Sequence, residues 1–334
     1  MKLPPAQLCL FGLLTLLAIT PATALTVTTN RTFSVPAGGH LIVDADRGSI
    51  RVAAGESNAV AIAIEREVKR STDEKAREVL DSHSVDFRQD GSTITVKARL
   101  PKGDSIWSRK AAGLNVKYLI IVPKSFDLTL TTAGGSVAVG DLAGRLRLKT
   151  AGGSIMVGAV DGSVQAETAG GSIAVASATG TVDADSAGGS IQLGAMKGAV
   201  EATSAGGSVR VDVAAGPVKA RTSGGSIVIN QASGPIQADT AGGSITARFV
   251  AAPAGDSQLE CTGGGITVYV ADTLGFAVDA ESTGGGVRSE LPVAGDRKAS
   301  RTSLRGQLNG GGPALRLRSV GGGISLRRLA AKGE

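Results

Sequence analysis

From residue 133 onward, apolar and polar positions alternate within each of a series of repeats. Ile173 and Val175 lead to a turn at Thr179-Gly180, then Val182, Ala184 and Ser186 follow. The next stretch reads Ile191, Leu193, a turn at Lys197-Gly198, then Val200, Ala202 and Ser204. Period-two alternation bounded by glycines marks half-buried β-strands, so each unit predicts two strands and two corners. The units recur at a fixed interval. Gly-Gly pairs begin at Gly134, Gly152, Gly170, Gly188, Gly206, Gly224 and Gly242, always 18 residues apart. Pairs at Gly263 and Gly284 follow at 21, and a last one begins at Gly321 after a longer insertion. A sustained period of this kind predicts an all-β, parallel β-solenoid with about 18 residues per coil.

Stacking one coil on the next, about 4.8 Å apart, lines equivalent residues up in columns. One inward column reads Val137, Ile155, Ile173, Ile191, Val209, Ile227, Ile245 and Ile266. A second is alanine from Ala166 to Ala238. A third holds hydroxyls from Thr150 to Thr240, then Cys261 and Ser282. Small residues in two columns predict a thin coil, with the hydroxyls bonded to backbone or to each other. Cys261 is therefore expected to be a small buried side chain, not a reactive thiol. The paired glycines are expected at corners because they reach positive φ without penalty. Pro217 and Pro235 fall at strand starts, where the missing N–H is tolerated.

Residues 25–132 follow the theme less regularly. Gly48-Ser49-Ile50-Arg51-Val52 copies the opening of a repeat, which starts the solenoid here. Ser71 and Glu74 match a capping box, and Ala76, Val79 and Leu80 share a face, predicting one short helix near 72–82. Strands are predicted at Thr93–Ala98 and Val116–Val122. The helix is expected to cover the open end of the tube. The organisation is then a leader over 1–24, an N-terminal capping region over 25–132, and regular repeats over 133–334.

Composition supports this picture. The chain has 48 glycines, one Trp, two Tyr and six Phe, yet 42% of it is hydrophobic. A narrow tube filled with Ala, Val and Ile accounts for both. Residues 1–24 read as a secretory signal peptide. Lys2 precedes the apolar run Leu8–Ile19, and Ala22-Thr23-Ala24 fits a cleavage site before Leu25. No later stretch is long enough to span a membrane. Removal of the leader takes Cys9 with it and leaves Cys261 without a partner, so no disulfide staples the fold. The expected location is extracytoplasmic: periplasmic, secreted or at the cell surface.

Candidate chemistry is sparse. His40 and His83 read as solvated loop residues, and no catalytic, metal-binding or cofactor-binding motif is present. The Gly-Gly-Ser-Ile unit lacks the Asp that nine-residue calcium repeats require. Outward positions bring Glu167, Asp183, Asp185 and Glu201 into an acidic patch, with Glu260, Asp279 and Glu281 as a second group. Stacked carboxylates can serve a polysaccharide-cleaving enzyme, or simply keep a face soluble. The C-terminal end is basic, from Arg297 to Lys332, which suits an anionic envelope polymer or charged capping coils. Trp107, beside Arg109 and Lys110 in a polar loop, is a possible ligand contact. Export argues against nucleic acid as a partner.

Two features together resemble a known family. One is "VKYLIIVPKSFDLTLTTAGGSVAV", a strand ending in Val-Pro and leading into Gly-Ser-Val-x-Val; the other is the train of Gly-Gly-Ser-Ile strands after it. They resemble the bacterial "putative adhesin" family of exported β-strand-repeat domains of unknown function, from about Phe33 to Leu326. The resemblance implies a right-handed parallel β-solenoid with no enzymatic residues to carry over. The functional expectation is a non-enzymatic exported solenoid that presents a flat repeat surface to an envelope or surface polymer or protein. The alternatives are a self-associating structural protein of the envelope and a polysaccharide-cleaving enzyme.

Overall fold

The computed structural model describes residues 25–36, 38–69, 72–101, 113–295 and 300–329. The expected leader, and Trp107, Arg109 and Lys110, lie outside them. Among the described residues, strands and a single helix build two large sheets of 15 strands each. The first sheet contains Ile155–Asp161, Ile173–Ala178 and Ile191–Met196; the second contains Val164–Thr168, Val182–Ser186 and Val200–Ser204. Neighbouring strands in the regular part run parallel and in register one period apart. Ile155, Ile173 and Ile191 lie side by side in one sheet, and Ala166, Ala184 and Ala202 in the other. Their inward side chains are buried in one continuous core. The fold is a parallel β-solenoid, as the period predicts.

The corners explain the Gly-Gly-Ser motif, for a different reason from the one expected. Thr168 Oγ1 donates to the Gly153 carbonyl of the preceding coil (2.8 Å) and accepts the Gly171 N–H of its own (3.2 Å). Ser186 repeats this with Gly171 and Gly189. Each hydroxyl thus staples two coils. The stapled backbones approach so closely that a Cβ on Gly171 would stand 2.1 Å from the Gly153 carbonyl oxygen. The repeated pairs are absent from the glycines with positive φ. Close approach, not left-handed backbone, is what demands the second glycine of each pair.

The ends depart from simple consecutive stacking. Gly39–Ala45 and Ser49–Gly55 form a coil that lies inside the stack, not at its tip. On one side Leu41 faces Leu128 and Ile50 faces Val137; on the other lie Thr93–Arg99 and Leu114–Pro123. The chain leaves this coil, builds the end of the rod, and steps back over it. The C-terminal end does the same. Ala314–Ser319 inserts between Ser257–Cys261 and Phe276–Ser282, and Ile324–Arg328 between Ile266–Val270 and Val287–Ser289. The hydroxyl column therefore runs Cys261, Ser319, Ser282, and Cys261 and Ser282 are not neighbours. Large aromatic side chains gather in these irregular ends; Phe249 and Phe276 pack with ring centroids 5.1 Å apart.

The helix spans Asp73–Ser82 and buries Ala76, Val79 and Leu80 against Leu25–Ser34 and Ala59–Val68. Its N-cap is Thr72, which makes no side-chain capping bond; Ser71 of the expected capping box lies outside the described residues. At the other end, Arg66 Nη1 donates to the carbonyls of Leu80 (3.2 Å) and His83 (3.1 Å), satisfying groups a helix leaves open. Neither histidine is a solvated loop residue. His83 is buried under the helix, 3.7 Å from the Asp46 carboxylate. His40 lies within a strand and shares a 2.9 Å hydrogen bond with Thr129. In both places neighbouring strands cover what the local sequence reads as turns.

Candidate binding face

The outer surface of the second sheet carries the charges that the sequence brings forward. Val182, Ala184 and Ser186 point inward, so Asp183 and Asp185 point out. Adjacent strands set Asp183 opposite Glu201, and Asp185 opposite Glu167, which gathers the four carboxylates. Cations bracket the group: Lys149 Nζ is 2.6 Å from Glu167 and Lys219 Nζ is 2.5 Å from Glu201. The Lys219 hydrogen bond holds the Glu201 carboxyl below its ordinary range. Partial burial, then the neighbouring Glu201, Asp185 and Glu167, push Asp183 upward. Asp183 borders a depression of about 470 Å³ beside His40, Arg147 and Gln165. Among the described residues, no three His, Cys, Asp or Glu side chains are grouped to hold a metal ion. The arrangement is an exposed ladder of carboxylates bracketed by cations.

The second acidic group does not exist as a patch. The inserted strand Ala314–Ser319 places Arg318 between Glu260 and Glu281, and Arg316 between Gln258 and Asp279. Arg318 Nη2 lies 2.6 Å from Asp279, and Arg305 Nε lies 3.0 Å from it. These hydrogen bonds, Arg318 foremost, hold the Asp279 carboxyl below its ordinary range against the opposing effect of burial. Arg316 pairs with Asp256, Arg327 with Glu290 and Arg328 with Asp272. Much of the basic C-terminal end is thus spent holding the coils together. Cys261 is buried in the hydroxyl column. Its Sγ donates to the Gly243 carbonyl (2.9 Å) and accepts the Gly264 N–H, and burial pushes its thiol up. A thiol so placed is a poor nucleophile.

The outer surface of the first sheet differs. One outward row runs Ala63, Leu119, Arg51, Ala138, Met156 and Ala174 across successive strands. The next row holds Ala61, Ile121 and Ala53. Leu119, Ile121 and Met156 are 37%, 48% and 53% exposed. Gly158 and Gly194 lie in these strands where a Cβ would come within 2.4 Å of Asp141 or 2.1 Å of the Ala176 carbonyl oxygen. A groove of about 870 Å³ runs beside them, lined by Ala138, Met156, Ala174 and Gly158 and by Arg51. A second groove of about 400 Å³ continues it over Ala61, Leu119 and Ile121. The apolar strip ends where Asp212 pairs with Arg210 (2.9 Å) and accepts from Asn230 (2.8 Å). Leu119, Ile121 and Met156 are thus exposed apolar side chains set among small residues on one face.

Sequence reading passes over this strip. Its signal lies in Tyr118-Leu119-Ile120-Ile121-Val122, where both phases of the alternation are apolar although only one faces the core. Among the described residues, no helix is long and apolar enough to cross a membrane.

Comparison with solved structures finds matches at low identity. A putative adhesin from Bacteroides fragilis is 12% identical, with 91% of this chain and 97% of that one covered and a TM-score of 0.37. A putative lipid binding protein from Parabacteroides distasonis is 12% identical over 91% and 97%, with a TM-score of 0.34. A putative adhesin from Parabacteroides merdae is 10% identical over 91% and 96%, with a TM-score of 0.32. No curated protein matches the chain. A family profile, Toastrack DUF4097, matches residues 39–327, which takes in the coils, the helix and both interlocked ends. The chain belongs to the Toastrack DUF4097 family.

Proposed function

We propose that this protein is a non-enzymatic, exported binding protein of the cell envelope or cell surface, and that the outer face of its first sheet is the binding surface. The observation that carries this reading is the apolar strip of Leu119, Ile121 and Met156 over small residues, left open to solvent on a rigid sheet. Burying such side chains against a partner contributes about 1.5–3 kcal/mol each. Arg51, set among them, gives the strip one cation with which to orient an acidic group. The acidic quartet on the opposite sheet serves solubility in this reading.

The test is co-sedimentation of the purified protein with isolated cell envelopes, alongside a variant carrying Ile121→Glu and Met156→Glu. Wild type is expected to sediment, and the double variant to bind at least about tenfold more weakly, since two buried charges remove the apolar contribution. Equal binding by both proteins overturns the assignment of the face. A protease-cleavable epitope at the C-terminus tests location. Loss from intact cells places the protein at the surface, and loss only after the envelope is opened places it in the periplasm. Retention inside the cytoplasm overturns export.

A further inference from the structure

A parallel solenoid has two sheets and two ends, hence four strand edges at which another chain can add hydrogen bonds. Three are blunted here. At the C-terminal end the edge strands are Val287–Ser289, three residues long, and Val293–Ala294, two residues long. At the N-terminal end of the second sheet the edge is Ser84–Asp90, which carries Asp86, Arg88 and Asp90. Brevity and charge are the usual defences of an edge.

The fourth edge is long and nearly uncharged. Leu25–Ser34 is ten residues long and pairs with Ala59–Val68 along its whole length, without a bulge. It contains no proline and a single charge, Arg31. Arg31 is exposed but lies over the Phe87 ring at 5.8 Å and donates to the Asn30 carbonyl, on the face of the strand that carries Phe33. Among the described residues no strand occupies the other side. The helix packs against Leu25–Ser34 and Ala59–Val68 without adding a strand to the edge, where side chains bond two carbonyls, Arg31 that of Asn30 and Gln89 that of Ser34.

We propose that two copies of this chain pair through Leu25–Ser34, antiparallel, about a two-fold axis normal to the first sheet. The strand is complementary to itself. With the axis at Asn30, same-face residues oppose one another as a sheet requires. Phe33 meets Val27 of the second copy, and Thr32 meets Thr28. Arg31 meets Thr29 and so avoids its own symmetry mate. Aromatic–β-branched and Thr–Thr pairs are the favoured cross-strand combinations. An isologous contact consumes the open edge of both copies, and the remaining edges are blunted, so assembly stops at two. The axis also places both apolar faces on the same side. If the function proposed above holds, the dimer presents two binding grooves to one surface; the pairing itself does not depend on that function.

Light scattering of the purified protein in the micromolar range tests this directly. Wild type is expected at twice the monomer mass. Thr28→Lys with Thr32→Lys sets like charges opposite each other across the axis and is expected to give monomers. Thr28→Lys with Thr32→Glu sets opposite charges there and restores the dimer, an outcome that unfolding cannot imitate. Asn30→Cys, on the axis, is expected to cross-link under oxidation. A monomeric wild type overturns the proposal, as do filaments or a dimer indifferent to the charge pattern. Envelope binding that fails while the dimer persists faults the function alone; loss of the dimer while single copies still bind faults the pairing alone.

Discussion

The smallest unit of this fold is a hydroxyl and two glycines. Ser or Thr in the corner column closes a bridge between coils, and the glycine three residues later must lack a side chain for the bridge to form. The two glycines of a pair are therefore unequal. A Cβ on Gly153 would lie 2.2 Å from the Gly135 carbonyl oxygen, whereas one on Gly152 would find its nearest neighbour at 3.8 Å. Gly153→Ala is expected to cost about 1–3 kcal/mol through forced separation of the coils. Gly152→Ala is expected to change stability by less than about 0.5 kcal/mol. Chemical denaturation of the two variants checks this, and equal costs would refute the close-approach account. The identity of the motif is plain in the sequence because each copy makes the same contact. Its cause is not, because positive φ and close approach both select glycine and only the neighbouring backbone tells them apart.

At the scale of the strand, register turns a sequence period into charge ladders. Every outward residue meets the residue one coil away, so Lys149 is paired with Glu167 and Glu201 with Lys219. Asp183 faces Glu201, and the cation that opposes its rise, Lys219, is paired with Glu201. Its carboxyl is raised, by burial first and the three acidic neighbours next. A raised acid destabilises the folded state when it ionises. Stability is thus expected to fall as pH rises from 3.8 through the folded value, and the full cost applies at neutral pH. Asp183→Asn should stabilise the protein at pH 7 by on the order of 0.5 kcal/mol and have no effect below the unfolded value. Thermal unfolding at both pH values measures the difference; a destabilised variant at neutral pH would contradict the ladder. These columns could be read from spacing. The apolar strip could not be assigned to a face so readily, because the run Tyr118–Val122 is apolar in both phases and resembles a strand buried on both sides.

At the scale of the whole molecule, the ends are locked by chain order. Strand Ala314–Ser319 has the alternation of any other coil, so nothing local marks it as the one that slips between two earlier strands. Its position is decided by pairing partners more than 30 residues away, which a repeat period does not encode. The insertion has an electrostatic signature, since it brings Arg318 to Asp279, which Arg305 already pairs from the antiparallel strand on its other side. Asp279 is a lowered acid. Its contribution is complete above 3.8 and is lost as pH falls through the folded value. The pairs are partly exposed, so the loss is about 1 kcal/mol or less, and it falls on the terminal coils alone. Protection from hydrogen exchange, taken relative to the intrinsic rate at each pH, should therefore fall at acid pH in 276–289 and 314–328, while the regular coils from 155 to 245 stay protected. Asp279→Asn should bring the same local change at neutral pH. Acceleration spread evenly along the rod would mean that the C-terminal lock carries no separate stability, and that the coils open as one cooperative body.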